Sequence, residues 1–179
     1  PEHMETGYRV MTMVRFYLTG LSASALFLYL KKGRFASLLG SYVYVFCGYA
    51  LHLCLYHPQF SYALMLLPLL LIAVEEIMAG RRWYMGTILV GISLLWSYYF
   101  LYINTIALVV YFLVRFFCKE KTQRTVRRFI QYVFRFAGTY LLGVGIGFLG
   151  IMTSLSSYAG SSRTVSGGLD TISGGNYGA

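Results

Sequence analysis

The sequence predicts an all-α protein, a polytopic transmembrane helix bundle of about six spans. Three observations predict it. The 179-residue chain is 58% hydrophobic and only 12% charged, with a mean hydropathy of +0.62, whereas a soluble domain carries about 25% charged residues. Residues 35–74 run for forty positions without an Asp, Glu, Lys or Arg, and about 20 apolar residues suffice for one helical crossing of a bilayer. The charges that do occur sit at the ends of apolar runs, the pattern that sets membrane orientation. The formal net charge of +9 therefore reads as topology, the lipid bilayer is the first expected partner, and no nucleic-acid partner is expected.

Residues 1–10 read as an outer N-terminal segment. The chain opens Pro1-Glu2-His3-Met4 and has no basic region followed by a cleavage site, so an excised fragment is expected rather than a signal peptide. The first span covers 11–30. Arg15 lies near its start, where it can snorkel. Gly20, Ser22, Ala23, Ser24 and Ala25 make a small-residue face suited to close helix packing. Lys31, Lys32 and Arg34 follow, with Gly33 as the break.

The second span, 35–55, carries Tyr42, Tyr44, Tyr49 and His52. Pro58 divides the uncharged run, because its ring removes a backbone donor and turns His57 away from helical geometry. The third span, 60–78, contains Pro68, which deprives the Leu64 carbonyl of its helical donor. In lipid a neighbouring group has to supply that donor. Glu75 and Glu76 close the span beside Arg81 and Arg82 and read as interfacial ion pairs.

Residues 83–114 are again uncharged for thirty-two positions. One helix of that length would be about 48 Å, too long for the hydrocarbon core. Two spans, 83–97 and 100–117, fit better. Their turn at Trp96-Ser97-Tyr98-Tyr99 brings the flanking basic groups to one side. In 118–132, Lys119, Lys121, Arg124, Arg127 and Arg128 alternate with Val126, Phe129 and Ile130. This pattern predicts a short amphipathic helix on an anionic leaflet. Arg135 leads into the last span, 136–155, and 158–179 read as a flexible outer tail. With both ends outside, twelve of the 15 Lys and Arg residues lie inside, and Arg9, Arg15 and Arg163 lie outside.

Several motifs resolve to packing. Gly145-Ile146-Gly147-Phe148-Leu149-Gly150 matches a dinucleotide fingerprint, with Asp170 twenty residues on, but it lies inside an apolar span with no preceding strand. Gly143 and Gly147 fit a small-xxx-small helix contact instead. His52-x-Cys54-x-x-His57 has metal-like spacing, but Pro58 ends the helix there and no fourth ligand is in view. No metal and no cofactor are expected, and the three cysteines make no disulfide framework. The outer ends of the spans gather Tyr56, Tyr62, Tyr98, Tyr99 and Tyr102 with His57, Gln59, Asn104, Ser161 and Arg163. Tyrosine faces suit sugar rings and an arginine fork suits a phosphate. His57, Gln59, Tyr99, Tyr102, Asn104 and Arg163 are the candidate binding residues, with His57 as a polar group in an outer cavity.

A series of pieces in order resembles a known family. It begins with Leu18-Thr19-Gly20-Leu21-Ser22 and Leu28-Tyr29-Leu30. Next come Tyr42-Val43-Tyr44-Val45-Phe46-Cys47-Gly48-Tyr49 and His57-Pro58-Gln59-Phe60. Leu67-Pro68-Leu69, Glu76 and Gly80-Arg81-Arg82-Trp83 follow, then Tyr98-Tyr99-Phe100-Leu101-Tyr102 and Ser161-Ser162-Arg163. Across residues 8–165 this resembles the YfhO family of bacterial membrane proteins, which is related to the GT-C class of glycosyltransferases. Cys47 and Ser97 depart from the family's usual Ser and Asn.

The resemblance implies a GT-C-like membrane domain fragment in the bacterial cell membrane. It would move a sugar from a polyprenyl-phosphate donor to an envelope polymer of the teichoic-acid type on the outer face. His57, Tyr99, Tyr102 and Arg163 would line the donor or acceptor cavity, with Arg163 on the lipid phosphate. Such transfer needs a carboxylate to take the acceptor's proton. Only Glu2, Glu5 and Asp170 fall on the outer side, and the family carries its acidic residue in a preceding outer loop. The catalytic residue is therefore not assigned within this segment, and whether the segment is an enzyme stays open. A flippase for a lipid-linked substrate would call for mid-membrane charges and repeats. A non-catalytic scaffold would need neither.

Overall fold

The computed structural model describes residues 2–54, 60–118 and 126–159. These form six α-helices and one π-helical turn: α1 (Glu2–Tyr29), α2 (Arg34–Val45), the π turn (Ala50–Cys54), α3 (Ser61–Met78), α4 (Trp83–Trp96), α5 (Tyr98–Phe117) and α6 (Val126–Ala159). No strand occurs among the described residues. The protein is an all-helical membrane bundle. Four helices are long and apolar enough to cross a membrane, within Thr6–Tyr29, Ser61–Met78, Tyr98–Phe117 and Val126–Met152, and Trp83–Trp96 is a shorter apolar helix.

The helices alternate in direction between two ends. Tyr29 meets Glu76 and Arg15 lies over Tyr62, so α1 and α3 run parallel. The Ser24–Ser41 and Gly20–Val45 contacts make α2 antiparallel to α1. Tyr62 against Trp96 and Ile77 against Gly86 make α4 antiparallel to α3. Asn104 at Ala63 and Tyr111 at Glu75 return α5 parallel to α3. Phe116 against Phe129 and Thr105 against Tyr140 make α6 antiparallel to α5.

α3 is the hub. It is apolar around most of its circumference, and a helix of that kind is buried on all sides. Leu66, Leu70, Ala73, Val74 and Met78 join Leu89 and Val90 of α4 and Leu101, Leu108, Phe112 and Phe116 of α5 in one core. Pro68 is kept inside α3, and the Tyr44 hydroxyl of α2 donates to the Leu64 carbonyl at 2.8 Å. A neighbouring span thus supplies the donor that the proline ring removes.

The α4–α6 seam is built from glycines. A Cβ on Gly143 would stand 2.6 Å from the Thr87 carbonyl oxygen, and one on Gly147 would stand 2.9 Å from that of Gly91. Gly145 has nothing within 4 Å. Two glycines of the 145–150 pattern, Gly147 and Gly150, therefore pack against α4, and backbone approach is what they permit.

The helix ends carry their own logic. Gly80 takes φ +73° and closes α3 with Arg81 N–H donating to the Glu76 carbonyl at 2.9 Å, a left-handed stop that glycine adopts without penalty. At the end of α1 the left-handed residue is Lys31, at φ 58°, and Gly33 sits at φ −58°. The break expected at Gly33 therefore falls two residues earlier. A single extended residue, Ser97, separates α4 from α5.

The element boundaries differ from expectation in three places. The segment 1–10 is not separate from the first span, because α1 already begins at Glu2. The second span is not one helix. α2 ends at Val45, the chain turns at Phe46 and Cys47, and the π turn follows. The amphipathic stretch and the last span are one helix, α6, of 34 residues and about 51 Å. Nothing interrupts it, since no proline falls within 126–159. The six expected spans thus become four full-length crossing helices, a short α4 and a broken second element. α4, at 14 residues, is about 21 Å long, less than the roughly 30 Å hydrocarbon core.

Candidate functional site

The two ends of the bundle are chemically unlike. One end collects Lys31, Lys32, Arg34, Arg81, Arg82, Arg115, Arg127, Arg128 and Arg135, with the consecutive carboxylates of Glu75 and Glu76. On a helix, neighbours in sequence point about 100° apart, and these two point at different partners. Tyr29 of α1 donates to the Glu76 carboxylate at 2.5 Å, and Arg81 Nη2 donates to the same oxygen at 2.9 Å. Tyr111 and Arg115 of α5 both donate to Glu75. Each carboxylate is thus held by one tyrosine and one arginine. The Tyr29 hydroxyl and the Glu76 carboxylate hold the Arg81 guanidinium above its ordinary pKa. The ion pairing expected at Glu75 and Glu76 is present, but Glu75 pairs with Arg115, forty residues away.

The opposite end is aromatic. Phe60 packs edge-on against Phe100 at 4.9 Å between centroids and against Tyr49 at 6.5 Å, and Tyr99 meets Phe100 at 5.4 Å. These rings tie the π turn and the starts of α3 and α5 together. Tyr62 lies 4.0 Å from Trp96, centroid to centroid, with the Arg15 guanidinium 4.8 Å above its ring. Arg15 Nε is buried without a hydrogen-bond partner. Beside this set, Tyr8, Thr12, Met13, Phe16, Phe46 and Leu51 line an apolar cavity of about 450 Å³ together with Arg9.

The candidate binding residues separate in space. Tyr98, Tyr99 and Tyr102 are exposed on the outward face of α5. Asn104 is buried and turned toward α3, where its Nδ2 donates to the Ala63 carbonyl at 3.4 Å. It therefore fastens α5 to α3 and does not share the face of Tyr102. His57, Gln59 and Arg163 lie outside the described residues, as do Tyr56 and Ser161. Sequence reasoning reads Arg15 as a snorkelling residue and does not include it among the binding candidates. A lone arginine within an apolar span was the available signal. Its ring partner Tyr62 lies 47 positions away and became visible only in three dimensions.

A family model of the bacterial membrane protein YfhO matches residues 1–170. The chain belongs to the YfhO family. No curated protein and no solved structure matches it at a significant level. Family and helices together make this YfhO protein a multi-pass membrane protein whose bundle contacts the lipid bilayer. Within the YfhO match fall both carboxylate clamps, the Arg15–Tyr62–Trp96 stack and the tyrosine face of α5.

Proposed function

We propose that this YfhO protein is the membrane part of a glycosyltransferase. It takes a sugar from a polyprenyl-phosphate donor and passes it to a cell-envelope polymer of the teichoic-acid type. In this reading the aromatic end faces outside the cell membrane and the basic end faces the cytoplasm, as the excess of cations at one end favours. The observation that carries the reading is the segregation of the two ends. The exposed Tyr98, Tyr99 and Tyr102 and the Arg15–Tyr62–Trp96 stack stand opposite the cationic belt.

In the transfer, an acceptor hydroxyl oxygen bonds to the anomeric carbon. The bond from that carbon to the phosphate oxygen breaks, and polyprenyl phosphate leaves with the electron pair. The hydroxyl proton passes to a carboxylate, which this reading assigns outside the described residues. Tyr99 and Tyr102 present ring faces to sugar, and His57 and Gln59 are assigned to the same donor or acceptor contacts. Arg163 meets the lipid phosphate. Asn104 acts as a positioning residue, since its bond to Ala63 sets the height of Tyr102 on α5.

The test is reconstitution of the full-length gene product in vesicles with a labelled polyprenyl-phosphate sugar. Transfer to acceptor is expected, and Arg163→Ala should lower it about tenfold or more, the weight of a charge-assisted contact. Sugar-lipid that crosses the bilayer without transfer would replace this reading with a flippase. Neither event would leave a scaffold.

A further inference from the structure

Between the start of α4 and the adjoining face of α6, at the basic end, lies an open cavity of about 330 Å³. Arg81 and Arg135 line it from two different elements, and Trp83, Phe134 and Leu142 form its apolar walls. We propose that this cavity binds the phosphate of an anionic phospholipid drawn from the leaflet at the basic end.

Four features support that occupant. Two guanidiniums line one space: Arg81 commits its Nη2 to Glu76 and Tyr29 and keeps the rest of its exposed head, and Arg135 adds a second fork of the kind that matches phosphate oxygens with paired hydrogen bonds. Arg135 has no ion pair among the described residues, because the carboxylates of Glu75 and Glu76 are engaged by Arg115 and Arg81. Its charge is therefore available. The glycine at position 80 makes the room: a Cβ there would stand 3.0 Å from Arg135 Nη1, so any other residue would push the guanidinium away from the turn that carries Arg81. Finally, α4 begins at the same turn with no side chain capping it, and the positive end of its dipole favours an anion.

The walls argue for a lipid over a soluble anion. Phe134 and Leu142 are exposed on α6, Phe134 next to Arg135 in sequence and Leu142 about two turns further along the helix, where acyl chains run past it. Basic pockets between membrane helices at this depth are lipid headgroup sites by their chemistry. The Trp83 indole beside the cavity marks the headgroup level.

The chain's two tryptophans make the test direct. In a Trp96→Phe protein, Trp83 is the only indole. The full chain is placed in phosphatidylcholine vesicles that contain phosphatidylglycerol, and either lipid carries bromine on its acyl chains. Brominated phosphatidylglycerol should quench Trp83 at a mole fraction about fivefold or more below that needed with brominated phosphatidylcholine. Arg135→Gln should erase most of that preference with unchanged helical circular dichroism, and Arg135→Lys should restore part of it. Arg34→Gln, away from the cavity, should retain it. Equal quenching by the two lipids, or a preference that survives Arg135→Gln, would overturn the proposal. So would relief of quenching by millimolar inorganic phosphate, which would make the cavity a soluble-anion site.

Discussion

The two ends of the bundle handle polar side chains in opposite ways. At the basic end Glu76 is 5% exposed and is fully engaged by Tyr29 and Arg81. At the aromatic end Tyr102 is 67% exposed, and Arg15 carries a buried nitrogen with no hydrogen-bond partner. A buried carboxylate near lipid is tolerated only with partners, so the basic end spends its polar groups on holding α1, α3 and α5 in register. At the aromatic end Asn104 is likewise committed to α3, whereas the exposed Tyr102 and the Arg15 Nε are not committed in this way. Hydrogen-bonding capacity that stability does not use is capacity available to a ligand.

The sharpest way to break this comparison is topological. With the three native cysteines replaced by serine, Arg128→Cys and Tyr98→Cys should react with an impermeant maleimide from opposite sides of the membrane. Reaction from one side would end the two-ended description. Next in size is the seam that α4 and α6 share along their length. Gly143→Val drives side-chain atoms into the Thr87 backbone and should cost about 3 kcal/mol, the upper range for overpacking. Gly145→Val meets open space and should shift stability by no more than about 0.5 kcal/mol. Thermal unfolding in detergent distinguishes the two.

At the basic end, Glu76→Leu removes the acceptor that Tyr29 and Arg81 share and should cost about 2 kcal/mol in the same assay. Close to the start of α3, Tyr44→Phe leaves the Leu64 carbonyl without its donor and should cost about 1 kcal/mol. An unchanged melting point would mean that water or lipid headgroups reach that carbonyl. The smallest stability effect belongs to the aromatic end. Tyr102→Ala should stay within about 0.5 kcal/mol while sugar transfer in reconstituted vesicles falls. A large stability loss there would place Tyr102 among the structural residues and erase the contrast.

Much of the fold was legible. The forty-residue uncharged run announced membrane helices, of which the structure keeps α3 whole and breaks the one before it, and the charges flanking 83–114 required a hairpin, whose turn the structure places at Ser97. Pro68 announced that a neighbour had to help, though nothing in the sequence singled out Tyr44 among 17 tyrosines. Other features were not legible. The continuity of α6 depends on the absence of a breaker, which a shift from amphipathic to apolar composition conceals. The left-handed turn falls on Lys31 although glycine stands two positions on, because hydrogen bonding of the last turn of α1 sets that position. Asn104 and Tyr102 looked like members of one site, yet two positions on a helix differ by about 200° and face opposite ways.

By itself the sequence determined the solvent, the number of apolar runs and the end of the bundle at which most cations gather. Hydropathy and charge are local quantities, and the bilayer acts on them segment by segment. The tertiary structure decided which polar groups find each other: Glu75 with Arg115, Tyr44 with Leu64, Arg15 with Tyr62. Those pairings join helices far apart in the chain. They depend on rotation and depth within the bundle, which packing of neighbouring helices sets and no single segment encodes.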